Sequence, residues 1–439
     1  MSDLALGAWS FPMLMLAIFL RVPIGLAMLL FGIFGTWLVV GSWVPVLSQL
    51  KSSTFDTFSS YSFSIIPLFL LMGQFATRGG MSNALFSAAA GWLGHRKGGV
   101  GMAAIGACAG FGAICGSSLA TAATMGKVAL PELRRYGYAD SLATGCLAAG
   151  GTLGVLIPPS VVLVIYAILA EENIAKLFTA AIIPGILAAL MYMATIGIYV
   201  RLRPGSAGET EPVPMAERIA RMRKVWPVVM VFLLVIGGIN FGWFTPTEGA
   251  AVGAAATGLI AAANGGLDRR GMWESIEETA IATAMIFFII FGAGAYNTFL
   301  AFTQLPMEVA GWIAERGYSP YGVLALILAC YMVFGCFMDS LSMILLTIPI
   351  FLPIVTSLDY GLPSAEFAIW FGILVLVVVE MGLITPPVGM NLFVINSVAG
   401  NVPMAATFRG VLPFVATDVL RISLLVLFPG LSLWLVRML

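Results

Sequence analysis

Apolar runs of eighteen or more residues recur from one end of the chain to the other, separated by short polar segments. Each is long enough to cross a hydrocarbon core about 30 Å thick. The two-residue alternation of a transmembrane β-barrel is absent, so the pattern predicts helices. The first run, from about Leu6 to Gly41, is interrupted by Arg21-Val22-Pro23 and reads as two short helices or one kinked helix. Arg21 either snorkels to the membrane interface or lines a polar cavity. Residues 42–60 are more polar and read as a loop or a surface-lying helix. A span from about Ser62 to Thr77 follows, then a shorter one around Asn83–Leu93 that ends at the basic cluster His95-Arg96-Lys97.

Two later stretches break the pattern in an informative way. From Gly98 to Leu130 there is no acidic residue, and the run is interrupted at Gly112–Ser118. Each side of that interruption is about 20–25 Å long as helix, which suits the arms of a re-entrant hairpin with Gly116-Ser117-Ser118 at its tip. Pro131–Asp140 reads as a polar loop. Next, Gly150-Gly151-Thr152-Leu153-Gly154-Val155-Leu156-Ile157-Pro158-Pro159-Ser160 places glycines and a proline pair inside an apolar run. Proline has no N–H to donate and disfavours helix at the residue before it. The helix therefore opens between Gly154 and Pro158, and a second half-helix starts near Ser160. Ile174–Val200 supplies another span.

Arg201 to Lys224 is the most polar segment. Six basic residues (Arg201, Arg203, Arg218, Arg221, Arg223, Lys224) stand there against Glu209, Glu211 and Glu217. The positive-inside rule makes it cytoplasmic, and it divides the chain into halves. Spans near Trp226–Phe241 and Gly249–Ala263 follow. Between them Thr245-Pro246-Thr247-Glu248 has the form of a capping box with proline at the first helical position.

The plan of the first half then recurs. The separation of matching residues grows from 219 (Gly73 and Gly292), through 223 (Gly112 and Gly335, Ser117 and Ser340), to 228 (Pro158 and Pro386) and 229 (Pro184 and Pro413). It never reverses, and the increments fall where loops can absorb an insertion. The echo of the first break is Glu380-Met381-Gly382-Leu383-Ile384-Thr385-Pro386-Pro387-Val388-Gly389-Met390.

Composition sharpens this into an all-α polytopic membrane protein. Of 439 residues, 60% are hydrophobic and 10% charged, with mean hydropathy +1.02, whereas soluble domains carry about 25% charged residues. Net charge is zero, which gives no footing for nucleic acid. The five cysteines lie in apolar runs without zinc-ligand spacing, and one histidine leaves neither a zinc helix nor a Ser–His pair. An intramembrane enzyme is thereby disfavoured. The first apolar run lacks the features of a removed signal peptide and is expected to stay as a membrane segment.

Repeats that each contain an interrupted apolar segment point to the binding site of a secondary transporter. Irregular backbone at membrane depth survives only where it lines a cavity, and there its polar groups become ligands. Carbonyls freed around Gly154–Pro158 and Gly382–Pro386 can coordinate a small cation. Ser117, Ser118, Asp339, Ser340 and Ser342 at the hairpin tips can complete the oxygen shell. Half-helix N-termini suit an anionic substrate between the repeats, with Thr121, Ser160, Asn391 and Asn396 adding hydrogen bonds. Asp339 reads either as a cation or proton site or as a cap. Glu380 reads either as a functional intramembrane acid or as the partner of a nearby arginine.

The motifs Arg21-Val22-Pro23-Ile24-Gly25-Leu26-Ala27, Thr245–Ala251, Gly151–Ser160 and Gly382–Asn391 resemble the large membrane subunit, DctM type, of tripartite ATP-independent periplasmic (TRAP) transporters. The resemblance spans nearly the whole chain. It implies two inverted repeats, each with a re-entrant hairpin and a broken helix, in an elevator-type carrier with scaffold and transport domains. It also implies a small membrane subunit of about four helices and a periplasmic substrate-binding protein as partners. The substrate would be an organic acid, the energy source a sodium gradient, and the location the bacterial inner membrane; no cofactor is implied beyond sodium as coupling ion. Carried over residue by residue, one sodium site falls on Ser117, Gly154, Ile157 and Pro159, the other on Ser340, Gly382, Thr385 and Pro387; Ser118 and Asp339 are added from the hairpin tips. The expected layout is scaffold helices at 1–61, a first repeat at 62–200, the basic segment at 201–224, central scaffold helices at 225–270 and a second repeat at 271–439. Its hairpins fall near 98–130 and 320–357 and its broken helices at 141–170 and 366–400. A stand-alone sodium- or proton-coupled anion carrier is the rival reading.

Overall fold

A computed structural model describes residues 2–208 and 210–438; Glu209, counted above in the basic segment, lies outside the described residues. The chain is helical throughout. Arg21, exposed and at φ 69°, turns the chain between α1 (Asp3–Phe19) and α2 (Ile24–Val40), so the first apolar run is two helices. The polar stretch after them is helical too, α3 (Trp43–Ser59), followed by a single 3-10 turn and α4 (Ile65–Arg78).

Helix α5 (Met81–Leu93) leads into the first hairpin, whose arms are α6 (Gly99–Cys115) and α7 (Ser118–Arg135). Gly116 turns the tip in the left-handed conformation at φ 64°. A side chain there would lie 2.9 Å from the carbonyl oxygen of Pro159, so glycine is required on two counts. The expected polar loop at Pro131–Asp140 is corrected: α7 runs through Pro131 to Arg135. The proline removes one N–H but leaves the helix continuing beyond it. The broken helix is α8 (Asp140–Leu156) and α9 (Val161–Leu169), bent by 46°. The long α10 (Ile174–Leu202) then leads to the basic segment, which folds a short helix of its own, α11 (Met215–Arg223).

The connection between the halves is α12 (Trp226–Phe232), a π turn at Leu233–Gly237, α13 (Gly238–Asn240) and α14 (Pro246–Ala263). The capping box predicted for α14 is present: Thr245 Oγ1 accepts from Glu248 N at 3.3 Å, and Glu248 Oε2 accepts from Thr245 N at 2.8 Å. The second half follows as α15 (Arg269–Thr303), α16 (Leu305–Glu315), the hairpin arms α17 (Pro320–Gly335) and α18 (Ser340–Thr356), and the broken helix α19 (Ser364–Gly382) and α20 (Met390–Ala399). Helices α21 (Met404–Leu427) and α22 (Gly430–Met438) close the chain.

Among the described residues four helices, α10, α15, α19 and α21, are long and apolar enough to cross a membrane, or up to seven if each bent pair forms one span. Helix α15, with 35 residues, extends about 50 Å and packs along α2, α3 and α4. Helices α8 and α19 are buried on every side over most of their length and touch each other. These are the helices that precede the two breaks. A helix apolar all round belongs in a protein interior, and here the interior holds the duplicated feature. Each break is met by its own hairpin through a glycine pair. A side chain on Gly112 would come within 2.7 Å of the Gly154 Cα, and one on Gly335 within 3.0 Å of the Gly382 Cα. The repeat read from the sequence is thus a repeat of contacts.

Candidate functional site

The two hairpin tips and the two breaks converge at the centre of the molecule. At the first break α8 stays helical to Leu156, and Ile157 N still donates to Leu153 O at 3.1 Å. Pro158 and Pro159 have no N–H, so the carbonyls of Gly154 and Val155 lose their intrahelical donors. Among the described residues no main-chain or side-chain donor replaces them. Ser160 then caps α9 by accepting from Leu163 N at 3.4 Å.

The tip of the first hairpin sits against this opened backbone. A side chain at Gly154 would meet Thr121 Oγ1 at 2.3 Å and the Ser117 carbonyl oxygen at 2.6 Å. Ser117, Gly154 and Thr121 are therefore in van der Waals contact, and Pro159 is held against Gly116. Thr121 Oγ1 is buried without a hydrogen bond of good geometry, and the buried Cys115 thiol lies within its reach. The Gly154 and Val155 carbonyls and Thr121 Oγ1 lack partners among the described residues, while the Ser117 carbonyl accepts from Thr121 N at 3.0 Å and keeps a second lone pair; hard cations such as sodium are bound by such oxygens. The donor set fits a small cation. Ile157 lies at the rim, half-buried against Gly185.

Ser118, expected beside Ser117 in this shell, points elsewhere. Its hydroxyl donates to Glu380 Oε2, while Ser340 of the second hairpin donates to Glu380 Oε1 at 2.7 Å. Glu380 is wholly buried. Its hydrogen-bond partners are thus two serine hydroxyls, not the arginine considered above. Asp339 takes its capping reading: its carboxylate accepts from Ser342 N at 3.1 Å and from Ser342 Oγ at 2.5 Å. A cavity of about 80 Å³ lies between the tips, lined by Ser117, Ser118, Asp339 and Ser340 among others.

The second break is built differently. Gly382 O accepts from Thr385 N at 3.0 Å, and Leu383 O accepts from Asn391 N at 3.1 Å. Thr385 Oγ1 folds back onto Met381 O at 2.7 Å, Cys336 O accepts from Gly389 N at 3.0 Å, and Pro387 is exposed. The Gly382 and Leu383 carbonyls are thus satisfied within the turn, whereas their counterparts at the first break, Gly154 and Val155, are open. Both proline pairs contain a cis bond.

Of the residues expected to hydrogen-bond substrate, Thr121 belongs with the first break. Ser160 is fully buried as a cap, and Asn391 is fully buried with its amide against Ala148 O at 3.4 Å. Asn396 Oδ1 accepts from Thr407 at 3.1 Å. Asn391 Oδ1 has no hydrogen-bond partner among the described residues, and none of Ser160, Asn391 and Asn396 lines the cavity between the tips.

The sequence reading passed over a second buried polar cluster. Arg421 and Asp418 of α21, both fully buried, pair at 2.9 Å. Tyr192 donates to Asp418 at 2.7 Å, shares a 3.3 Å contact with Thr152 of α8, and lies under the Arg421 guanidinium. Two opposite charges three residues apart inside an apolar run were the available signal.

Paired hairpins and broken helices inside an all-helical apolar core define a membrane carrier rather than a channel-lining bundle. The fold is shared with a solved transporter: the crystal structure of the Alcanivorax borkumensis YdaH transporter aligns with TM-score 0.66 over 89% of this chain and 90% of that one, at 15% identity. The chain belongs to the family described as the DctM component of the tripartite ATP-independent periplasmic transporter, whose model matches residues 11–431. It is 37% identical over 390 residues to the C4-dicarboxylate TRAP transporter large permease protein DctM of Pseudomonas aeruginosa, covering 88% of each chain. It is 31% identical over 421 residues to the sialic acid TRAP transporter permease protein SiaT of Haemophilus influenzae, covering 94% of this chain and 66% of that one.

Proposed function

We propose that this chain carries a small organic acid inward across the bacterial inner membrane, coupled to sodium, with the substrate handed over by a periplasmic binding protein. The observation that carries the coupling is the group of oxygens at the first break: Thr121 Oγ1 and the Gly154 carbonyl, neither with a hydrogen-bond partner among the described residues, and the Ser117 carbonyl packed against Gly154. Sodium there would be held by Ser117, Thr121, Gly154, Ile157 and Pro159. The second site, on Ser340, Gly382, Thr385 and Pro387, would close only when the turn after Gly382 releases some of its carbonyls. The two hairpins with α8 and α19 would move together as the transport unit of an elevator, against a scaffold containing α2, α14 and α15. Organic acids fit because relatives named for C4-dicarboxylates and for sialic acid share carboxylates and little else.

A small four-helix membrane subunit would cover α1 and α2, where a groove of about 400 Å³, apolar except for Ser10, is lined by residues including Trp9, Met13, Phe34 and Leu38. The deciding experiment is reconstitution of the chain with the small subunit and binding protein in proteoliposomes. Uptake of labelled carboxylates is expected under an inward sodium gradient and not under potassium or proton gradients alone. Ser117→Ala is expected to raise the sodium concentration needed for half-maximal uptake. Equal uptake without sodium would remove the coupling, and uptake by the chain alone would remove the binding protein.

A further inference from the structure

A cleft of about 540 Å³ separates the first hairpin from the scaffold, and small-molecule sites commonly measure about 300–1,000 Å³. One of its walls is a single face of α7. Ser117, Ala120, Ala123, Thr124 and Lys127 line it, at the three- and four-residue spacing that stacks side chains on one side of a helix. This face begins at the tip, beside the oxygens of the first break, and ends at Lys127, about 15 Å away. The opposite wall is α4 and α15, contributing Gln74, Arg78 and Glu278.

The charges in this cleft are not equivalent. Arg78 is held by Glu274 at 3.0 Å, and Glu274 is also bound by Arg270 at 2.7 Å. Lys127 is exposed to the cleft and makes no ion pair or hydrogen bond among the described residues. Glu278 stands across from it on the scaffold, also exposed and farther than ion-pair distance. An unpaired ammonium at the end of a helix wall that is otherwise uncharged, with Leu119 its one large residue, supplies a charge for a ligand in the cleft.

The Lys127 end of the cleft lies toward the basic segment. Beyond Lys127, the end of α7 is tied to the start of the basic segment: Ala139 N donates to Ser206 O at 2.9 Å, and Gly208 N to Tyr136 O at 3.0 Å. Helix α11 of the same segment packs on α5, which follows Arg78. The excess of arginine in this segment marks that side as cytoplasmic.

We infer that this cleft is the inward-facing substrate vestibule, and that Lys127 is an anion-selecting residue that binds a carboxylate of the substrate on its way from the hairpin tip to the cytoplasm. This deepens the organic-acid reading above and rests on it for the substrate class. The small residues at 120 and 123 leave room for the body of the ligand. Gln74 and Thr124 offer hydrogen bonds to its polar groups, and Glu278 opposes a second negative charge on the scaffold side. This places substrate on α7, the helix that also carries Thr121.

The test separates this inference from the transport reading. Ala123→Cys, one turn from Lys127, is placed in a Cys115→Ala chain, because Cys115 also borders the cleft. Inside-out vesicles in low-salt buffer are treated with an anionic or a cationic methanethiosulfonate reagent, which serve as the probes, and the two labelling rates are compared. Replacing Lys127 by Gln is expected to lower the anionic-to-cationic ratio about tenfold, from Coulomb's law at the spacing of one helical turn in water. Lys127→Arg is expected to keep the ratio, and Glu278→Gln to raise it. Uptake by the full complex should show a raised half-saturation concentration in Lys127→Gln, restored in Lys127→Arg. A Cys at 123 that resists both reagents would overturn the vestibule, and a ratio unmoved by Lys127→Gln would overturn the role of Lys127. If the labelling behaves as expected while the complex transports no organic acid, the functional reading fails and the anion-attracting cleft stands.

Discussion

Ser118 and Ser340 donate to the two oxygens of one buried carboxylate, that of Glu380. The serines are the first residues of the helices that follow the two hairpin tips, and Glu380 lies on the helix that leads into the second break. A hydroxyl bound to a carboxylate makes a charge-assisted hydrogen bond, stronger than a neutral one. A single side chain thus couples the two repeats where their irregular backbone meets. A carrier that must present both tips to either side of a membrane gains from having them move as one body.

Glu380→Ala leaves both hydroxyls without an acceptor and a void between the tips. Uptake by the reconstituted complex is expected to fall more than about tenfold, the factor that corresponds to about 1.4 kcal/mol, and thermal stability in detergent to fall with it. Glu380→Gln keeps an acceptor and the volume, so its melting temperature should lie between the two. Wild-type uptake by the alanine variant would show that the clasp is dispensable.

Ser118→Ala and Ser340→Ala each remove one hydrogen bond to a charged group, at an expected cost of about 1.5–3 kcal/mol. Because both end on Glu380, the double variant should depart from additivity by at least about 0.5 kcal/mol. Equilibrium unfolding of the four proteins of the cycle measures this. Strict additivity would mean that the two bonds are independent.

Gly154→Ala introduces a methyl group that would lie 2.3 Å from Thr121 Oγ1 and 2.6 Å from the Ser117 carbonyl oxygen. It is expected to push the first tip away from the break and to raise the sodium requirement of uptake by an order of magnitude or more. Gly311→Ala is the matched control, since nothing lies within 4 Å of a side chain there. An unchanged sodium dependence in Gly154→Ala would place the cation elsewhere.

Arg421→Ala strands Asp418 as an uncompensated buried charge, and breaking such a pair typically costs about 3–5 kcal/mol. Replacing both partners together by apolar residues of similar volume (Asp418→Leu with Arg421→Met) is expected to recover most of that loss. Thermal unfolding in detergent gives both values. A single variant as stable as the parent would show that water reaches the pair.

The hairpins, the breaks and the duplication were legible because their causes are local. A proline pair removes donors wherever it occurs, and a glycine at a tip or a close crossing has no substitute. The capping box at Thr245 and Glu248 was legible for the same reason, as both partners lie within one helical turn. Where a side chain points at a helix start is a different matter. Ser117 and Ser118 are neighbours in sequence, yet one faces the opened backbone at Gly154 and the other faces Glu380.

The sequence by itself determined the membrane-embedded helical class, the two broken helices and their pairing with two hairpins, since apolar length, proline chemistry and an ordered repeat depend on nothing distant. The tertiary structure alone decided that Glu380 serves hydroxyls and not an arginine. It also decided that the second break satisfies the carbonyls of Gly382 and Leu383, that Ser160 caps the half-helix after the first break, and that Lys127 faces an open cleft. The Glu380 contacts and the cleft depend on which groups lie across a packed interface, and such partners come from residues far apart in the chain.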